Sequence, residues 1–290
     1  MKKFLKEIMN ICFFTILFGE FICRLFPITA DIPIKENNDG FYKLKKHQSG
    51  TYIKGKFPKF IRAKYNINNL GFNSSKDYYF DDFDKKKIGI IGDSFVEGFQ
   101  VDVNNSIGRQ LEKSNLNLSV YEFGLSGNNF LNYENIYNQY DLKEFDCVFI
   151  IMDYDDVLAN SPEKQIFNNT LKIKESLFRV FYENFYFFKY LNFNHGIIRK
   201  LRNIVYGNQM ENKNELNHIK TYDISNFYFK HSNLSLLMKS KNDTVLKSIY
   251  PSILFYPINE KYNPINFGFD KHWNLNGRKN VTETILELIK

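Results

Sequence analysis

The sequence predicts an α/β domain built on a parallel β-sheet, preceded by an apolar N-terminal helix. Three observations carry this reading. Short apolar runs of strand length, each ending at Gly, Asp or Pro, recur along the chain and are separated by stretches of helical period. A lysine-flanked apolar segment stands ahead of them all. The 290 residues are 43% hydrophobic and 24% charged, a globular composition that excludes a chain disordered throughout and a multi-span membrane protein.

The first element follows Lys2, Lys3 and Lys6. An apolar stretch runs from Ile8 to Phe26, cleanest over Ile11 to Gly19 and interrupted by Asn10, Glu20 and Arg24. A helix of about 19 residues roughly spans a bilayer core, and one continuous helix is expected over residues 5–26. Glu20 and Arg24 are four apart, so they share a helix face and can pair. Three readings fit residues 1–26. The preferred one is an uncleaved signal anchor with its N-terminus in the cytoplasm, which makes a single-pass bacterial membrane protein whose main domain is extracytoplasmic. The second is a cleaved signal peptide and a secreted or periplasmic product. Ala30 offers a small residue for cleavage, but Ile28 spoils an A-x-A site. The third is a soluble amphipathic helix. Lysines from Lys35 onward weaken any argument from charge asymmetry.

Residues 27–83 show little periodicity and are read as a linker and capping extension, and the main domain begins at Asp84. KKIGIIGD (86–93) is the first buried strand. Ser106 to Lys113 is a helix, with Ile107 and Leu111 on one face. LSVYEFG (118–124) and FDCVFIIMD (145–153) are the second and third strands, and Tyr250 to Tyr256 is taken as the fourth. Gly277 to Lys290 forms the last helix, with Val281, Ile285, Leu288 and Ile289 on one face. Residues 170–235 are aromatic, basic and helical in period. They read as a helical insert, packing on the sheet or serving as a lid or membrane-facing element.

The net charge of +7 is spread along the chain. No dense basic arm, zinc-finger spacing or RNA-binding aromatic motif accompanies it, so nucleic acid is not an expected partner. Cys12, Cys23 and Cys147 provide neither a disulfide framework nor a CxxC metal site.

In an open parallel sheet, functional groups collect where strands end at their carboxyl edge. The first strand leads into Gly92-Asp93-Ser94-Phe95, the second into Gly124-Leu125-Ser126-Gly127, and the third into Asp153-Tyr154-Asp155-Asp156. The loop after the fourth reaches Asp270-Lys271-His272-Trp273-Asn274. One edge thus holds a serine, a glycine turn, carboxylates and an Asp/His pair, which is the inventory for acyl transfer through a serine nucleophile. Asp270 and His272 are two apart, so in an extended loop they face the same way. Asp270 can then hold one imidazole nitrogen while the other takes the proton of Ser94. Ser94 stands at a strand-to-helix turn with unpaired N–H groups. Gly127 lacks a Cβ, which lets its N–H approach a tetrahedral oxyanion. The α/β-hydrolase elbow G-x-S-x-G does not fit, because residue 96 is Val96. The dinucleotide fingerprint fails as well, at Ile91. Asp153 and Asp156 hint at a metal pair, but no His or further carboxylate cluster joins them, and no metal or other cofactor is expected.

These residues resemble the SGNH (GDSL) hydrolase family. GDSF (92–95) looks like its first block with the nucleophile at Ser94, and FGLSG (123–127) like its second with the oxyanion glycine at Gly127. DKHWNLNG (270–277) looks like its last block, in an Asp-x-His-Trp-Asn form similar to members that act on surface polysaccharides, including alginate O-acetylation proteins. The resemblance covers residues 84–290 apart from the insert. It implies a flavodoxin-like three-layer α/β/α sandwich, no metal, and an ester hydrolase or O-acyltransferase working on an acylated small molecule or glycan through an acyl-Ser94 intermediate. The alternative is a weak or inactive member that serves as a binding or assembly protein in a surface-polysaccharide pathway.

One position departs from the pattern. The third block normally offers an Asn whose amide donates to the oxyanion, and Asp155 stands in its place. An ionised carboxylate accepts but cannot donate. Two rescues are open. Burial beside Asp153 and Asp156 could keep Asp155 protonated, or Asn128 or Asn129 could supply the amide.

Overall fold

The computed structural model describes residues 2–26, 28–38, 41–56, 59–158, 184–197, 200, 221–239 and 243–290. The chain divides into two compact units. One comprises Met1–Ile32, Thr51–Ile61 and Leu171–Asn217; the other comprises Pro33–Gly50, Arg62–Thr170 and His218–Lys290.

In the first unit, α1 (Lys2–Leu25) is one continuous helix, long and apolar enough to cross a membrane. Its large apolar side chains, among them Phe4, Met9, Ile11, Phe14, Phe18 and Phe21, are exposed. Glu20 and Arg24 pair as their spacing requires, at 2.7 Å. The Glu20 carboxylate also accepts from the N–H groups of Tyr186 and Phe187, the first two residues of α6 (Tyr186–His195). An acidic group there satisfies otherwise orphaned donors at the positive end of the helix dipole. Arg24 completes the clamp by donating to the Asn184 carbonyl at 2.9 Å.

The second unit holds the sheet. β5 (Lys86–Gly92), β6 (Leu118–Gly124), β7 (Cys147–Met152), β8 (Leu234–Met238) and β9 (Phe255–Pro257) run parallel in the order β6-β5-β7-β8-β9. This is a doubly wound order, and its switch point lies between β5 and β7. Both faces are covered, which is why the strands read as continuous apolar runs. On one face Ile88, Ile90, Val120, Phe149, Ile151 and Leu237 pack with α3 (Ile107–Ser114) and α9 (Leu275–Leu288) through Ile107, Leu111, Val281 and Ile285. On the other, Phe72 and Tyr78 meet Phe123 and Tyr121 edge-on. On that face too, α4 (Phe130–Gln139) packs Phe130 and Tyr137 on Phe227 of α7 (Ser225–Lys230). The result is an α/β/α sandwich.

Two expectations need correction. The fourth strand of the sheet in chain order is not Tyr250–Tyr256 but β8, which begins at the end of the stretch read as helical and runs beyond it. Of that earlier assignment only Phe255 and Tyr256 are in a strand, because α8 (Thr244–Ile249) runs into a turn at Tyr250. The helical insert lies largely outside the described residues; α6 and α7 are the helical parts of it that are described. Residues 27–83 are not patternless. They hold two two-stranded sheets, β1 (Lys35–Asn38) antiparallel with β2 (Phe41–Leu44), and β3 (Ser49–Lys56) paired with β4 (Lys59–Asn66). In β4 the residues Ile61, Ala63 and Tyr65 are buried while Arg62 and Lys64 are exposed, the period of two that defines a half-buried strand.

Candidate active site

Ser94 opens α2 (Ser94–Glu97), a single turn that starts where β5 ends. Asp93 is its N-cap, and one carboxylate oxygen accepts the Phe95 N–H at 3.0 Å. The Ser94 N–H takes no partner among the described residues, so the turn presents a hydroxyl and a free donor side by side. Gly127 sits three residues beyond β6, whose Gly124 pairs in register with Gly92 of β5. Its φ of +87° is one that side chains disfavour, and the space a Cβ would occupy is open. The Gly127 N–H is likewise without a partner among the described residues. Gly124 is required for a different reason, because a Cβ there would lie 2.0 Å from the Glu97 nitrogen.

Asp270 and His272 occupy the loop before α9. The loop is pinned by an Asn266–Trp273 bridge and by Asn274, which donates to the carbonyls of Pro264 and Asn266 and caps α9 at Gly277. The His272 ring nitrogen Nε2 lies 2.9 Å from Ser94 Oγ, and Nδ1 lies 2.6 Å from Asp270 Oδ1. The same Asp270 oxygen accepts the His272 backbone N–H at 2.9 Å, which fixes the carboxylate relative to the ring. Asp270 is 3% exposed, so this contact is made away from bulk water. Phe95 packs against the His272 ring at 5.0 Å and edge-on against buried Trp273 at 4.9 Å. Trp273 is therefore a packing residue that supports the loop.

The burial that would keep Asp155 protonated is not found: the residue is exposed, and its N–H donates to Asp153 at 3.1 Å. The buried carboxylate of this turn is Asp156, one residue further on. Asp153 and Asp156 form a capping box at the start of α5 (Tyr154–Val157), which rotates Asp156 inward and leaves Asp155 outward. Burial pushes the Asp156 carboxyl up to about 7 despite a cation beside it. Asn129 accepts the Asn132 N–H through its side-chain oxygen as the cap of α4, and neither the Asn128 nor the Asn129 amide donates a hydrogen bond among the described residues.

Two groups at this edge were not found by reading the sequence. Lys239, directly after β8, places Nζ at 2.9 Å from Asp93, 3.2 Å from Asp153 and 2.8 Å from Asp156. The Asp153 and Asp156 carboxylates thus turn toward an ammonium rather than outward as a metal pair. Glu97, in α2, is 4% exposed and accepts the Ser126 hydroxyl, which steadies the turn that carries Gly127.

Burial pushes the Glu97 carboxyl from 4.5 to about 7, with the Ser126 groups opposing. The folded chain therefore binds this proton more tightly than the unfolded chain does. Glu97's contribution to stability is full below pH 4.5 and falls as pH rises to about 7. Glu97→Gln is expected to unfold like the parent at pH 4.5 but to gain up to about 3 kcal/mol over it at pH 8. Urea unfolding of both proteins at the two pH values measures this. Parallel pH slopes would show that Glu97 titrates normally.

No protein-family model and no curated protein matches the chain. Among solved structures it is similar to a lipolytic protein of the G-D-S-L family from Veillonella parvula DSM 2008, at 10% identity over 69% of this chain and 96% of that one, with a TM-score of 0.35. It is similar to a G-D-S-L family protein from Desulfitobacterium hafniense DCB-2 at 12% identity over 69% and 98%, with a TM-score of 0.35. It is also similar to Axe2, an acetylxylan esterase from Geobacillus stearothermophilus, at 13% identity over 70% and 93%, with a TM-score of 0.32.

Proposed function

We propose that this protein is a serine-dependent ester hydrolase or O-acyltransferase of the SGNH type. In this reading it acts on O-acyl groups of cell-surface glycans and is held at a membrane by α1. The observation that carries the reading is the hydrogen-bonded relay from Ser94 through His272 to buried Asp270.

The chemistry follows from the relay. His272 Nε2 takes the hydroxyl proton as Ser94 Oγ attacks the ester carbonyl carbon. The carbonyl oxygen becomes an oxyanion facing the Ser94 and Gly127 N–H groups. The ester C–O bond breaks, His272 returns its proton to the departing sugar oxygen, and the acyl group rests on Ser94. Water or a second sugar hydroxyl then attacks while His272 takes its proton, and Ser94 is released. Hydrolysis and transfer differ only in this last acceptor. Asp270 holds the imidazole with Nε2 free to accept and stabilises the imidazolium that forms.

The test uses the full chain recovered in a membrane pellet and given an acetylated oligosaccharide with a fresh acceptor glycan. Acetate release indicates hydrolysis and acetylated acceptor indicates transfer. Neither product, with no labelling of Ser94 by a fluorophosphonate, would overturn the reading.

Asp155 favours a second reading, a site weakened or retired in favour of binding, since a solvent-facing carboxylate supplies no donor. Asp155→Asn tests this reading. A rise in aryl ester turnover toward the roughly hundredfold worth of one oxyanion donor would show that position 155 faces the oxyanion and that its carboxylate weakens the site. Unchanged initial rates at every pH would show that this exposed side chain stays out of the chemistry.

A further inference from the structure

We infer that Lys239 is a positioning residue for the Ser94 site: its ammonium ties the turn after β5 to the turn after β7 and cancels carboxylate charge that would otherwise stand beside the oxyanion. The inference rests on the serine-ester reading above.

Lys239 lies at the doubly wound sheet's carboxyl edge, its N–H continuing the β7–β8 ladder to the Met152 carbonyl at 2.9 Å. Its side chain is 5% exposed and reaches back across the edge to Asp93, Asp153 and Asp156. Three N–H donors meet three carboxylates, so no proton remains for a substrate. Lys239 acts through those carboxylates or not at all. Asp93 is the decisive one, because it immediately precedes Ser94. One Asp93 oxygen holds the Phe95 N–H and the other holds Lys239, which fixes the turn whose free N–H faces the forming oxyanion.

The groups facing Lys239 are Asp93 after β5 and Asp153 and Asp156 after β7. Tyr133 of α4 is buried beside Asp156, and the Phe95 ring lies 5.3 Å from Nζ. Burial pulls the ammonium down, but the three carboxylates outweigh it and keep Lys239 charged. Asp156, pushed up to about 7, is the carboxyl that holds a proton near neutrality. While that proton is held the cluster carries one negative charge in excess, and at pH 8, with it gone, two. Without Lys239 each count rises by one, next to the place where a further charge must develop. A buried ion cluster is no general requirement for stability, since apolar groups of similar volume often replace one without loss. Its position against the nucleophile turn is what gives it a role.

The experiment compares the parent, Lys239→Met and the charge-compensated pair Lys239→Met/Asp153→Asn in the full chain. Asn still caps α5 at position 153, and the pair restores the parent's net charge. Fluorophosphonate labelling of Ser94 in the parent tests the underlying reading, and an unlabelled parent sinks that reading itself. With a labelled parent, Lys239→Met is expected to lower kcat on an aryl ester by tenfold to a hundredfold at pH 8, on the order of one lost oxyanion contact, with KM nearly unchanged. The ratio of variant to parent rates should rise as pH falls to 5.5, because the uncompensated carboxylates take up protons, and the His272 limb cancels in the ratio. The pair should recover most of the loss at pH 8. A rate ratio that is flat with pH, or a folded pair no faster than Lys239→Met, overturns the inference and leaves Lys239 a structural residue. If Lys239→Met does not fold, the pair alone decides, since a folded pair with less than a tenth of the parent's kcat is incompatible with a charge-cancelling role.

Discussion

Ser94→Ala is expected to lower ester turnover by roughly four to six orders of magnitude, and His272→Ala by a similar factor. The two residues act as one unit. Ser94 Oγ is a poor nucleophile until its proton has somewhere to go, and His272 Nε2 at 2.9 Å is the acceptor in reach. Removing either leaves the Ser94-turn and Gly127 N–H groups in place, so some rate above that in water should persist. The double variant should fall no further than the worse single one, because a relay already broken cannot be broken again. Steady-state rates on an aryl ester measure this. Fluorophosphonate labelling checks the assignment independently and should vanish in Ser94→Ala. A Ser94→Ala protein with turnover near that of the parent would place the chemistry elsewhere.

The parts of this fold that could be read from sequence are those where a local signal and the tertiary role coincide. β5, β6 and β7 are apolar runs bounded by turn residues, and each forms close to where that pattern puts it. β8 was hidden because LSLLM follows an aromatic stretch of helical period, and five apolar residues read equally as helix or strand. β9 has three residues, too few for any periodicity. The site divides in the same way. Ser94, Gly127, Asp270 and His272 each stand in a short motif at a strand end or before the last helix. Lys239 bears no motif, and its meaning comes from three carboxylates that converge from other strands. It also follows β8, a strand without a signal of its own in the sequence, so nothing in the sequence puts it on the carboxyl edge. Glu97 lies within the first motif, but its burial depends on Gly124 of the neighbouring strand coming close to it. The choice between Asp155 and Asp156 was available earlier. Asp153 and Asp156 have the spacing of an N-cap and the residue three beyond it, and that pairing turns Asp156 inward.

Asp270→Asn is expected to cost about 10⁴-fold in kcat while leaving the loop in place. Asp270 Oδ1 accepts from both the His272 backbone N–H and ring Nδ1, so the native imidazole must carry its proton on Nδ1 and keep Nε2 open. An Asn side chain keeps the backbone N–H only with its carbonyl oxygen at that shared position, where it also keeps the Nδ1 proton and loses only the carboxylate's charge. Turned the other way, its amide faces Nδ1 as a donor and drives the ring proton to Nε2. That nitrogen then points an N–H at Ser94 and cannot take the hydroxyl proton. The carboxylate's second contribution, stabilising the imidazolium as it forms, is lost in the same step. Because stability and loop geometry are preserved, the loss should appear in kcat rather than in KM or in the melting temperature. Hydroxide can substitute for the missing base, so the variant's rate should climb with pH beyond the point where the parent levels off. Rates across pH, with unfolding curves alongside, test this. A variant with parental kcat would mean that Asp270 does not set the tautomer, and the His272 ring would have to be held by another group.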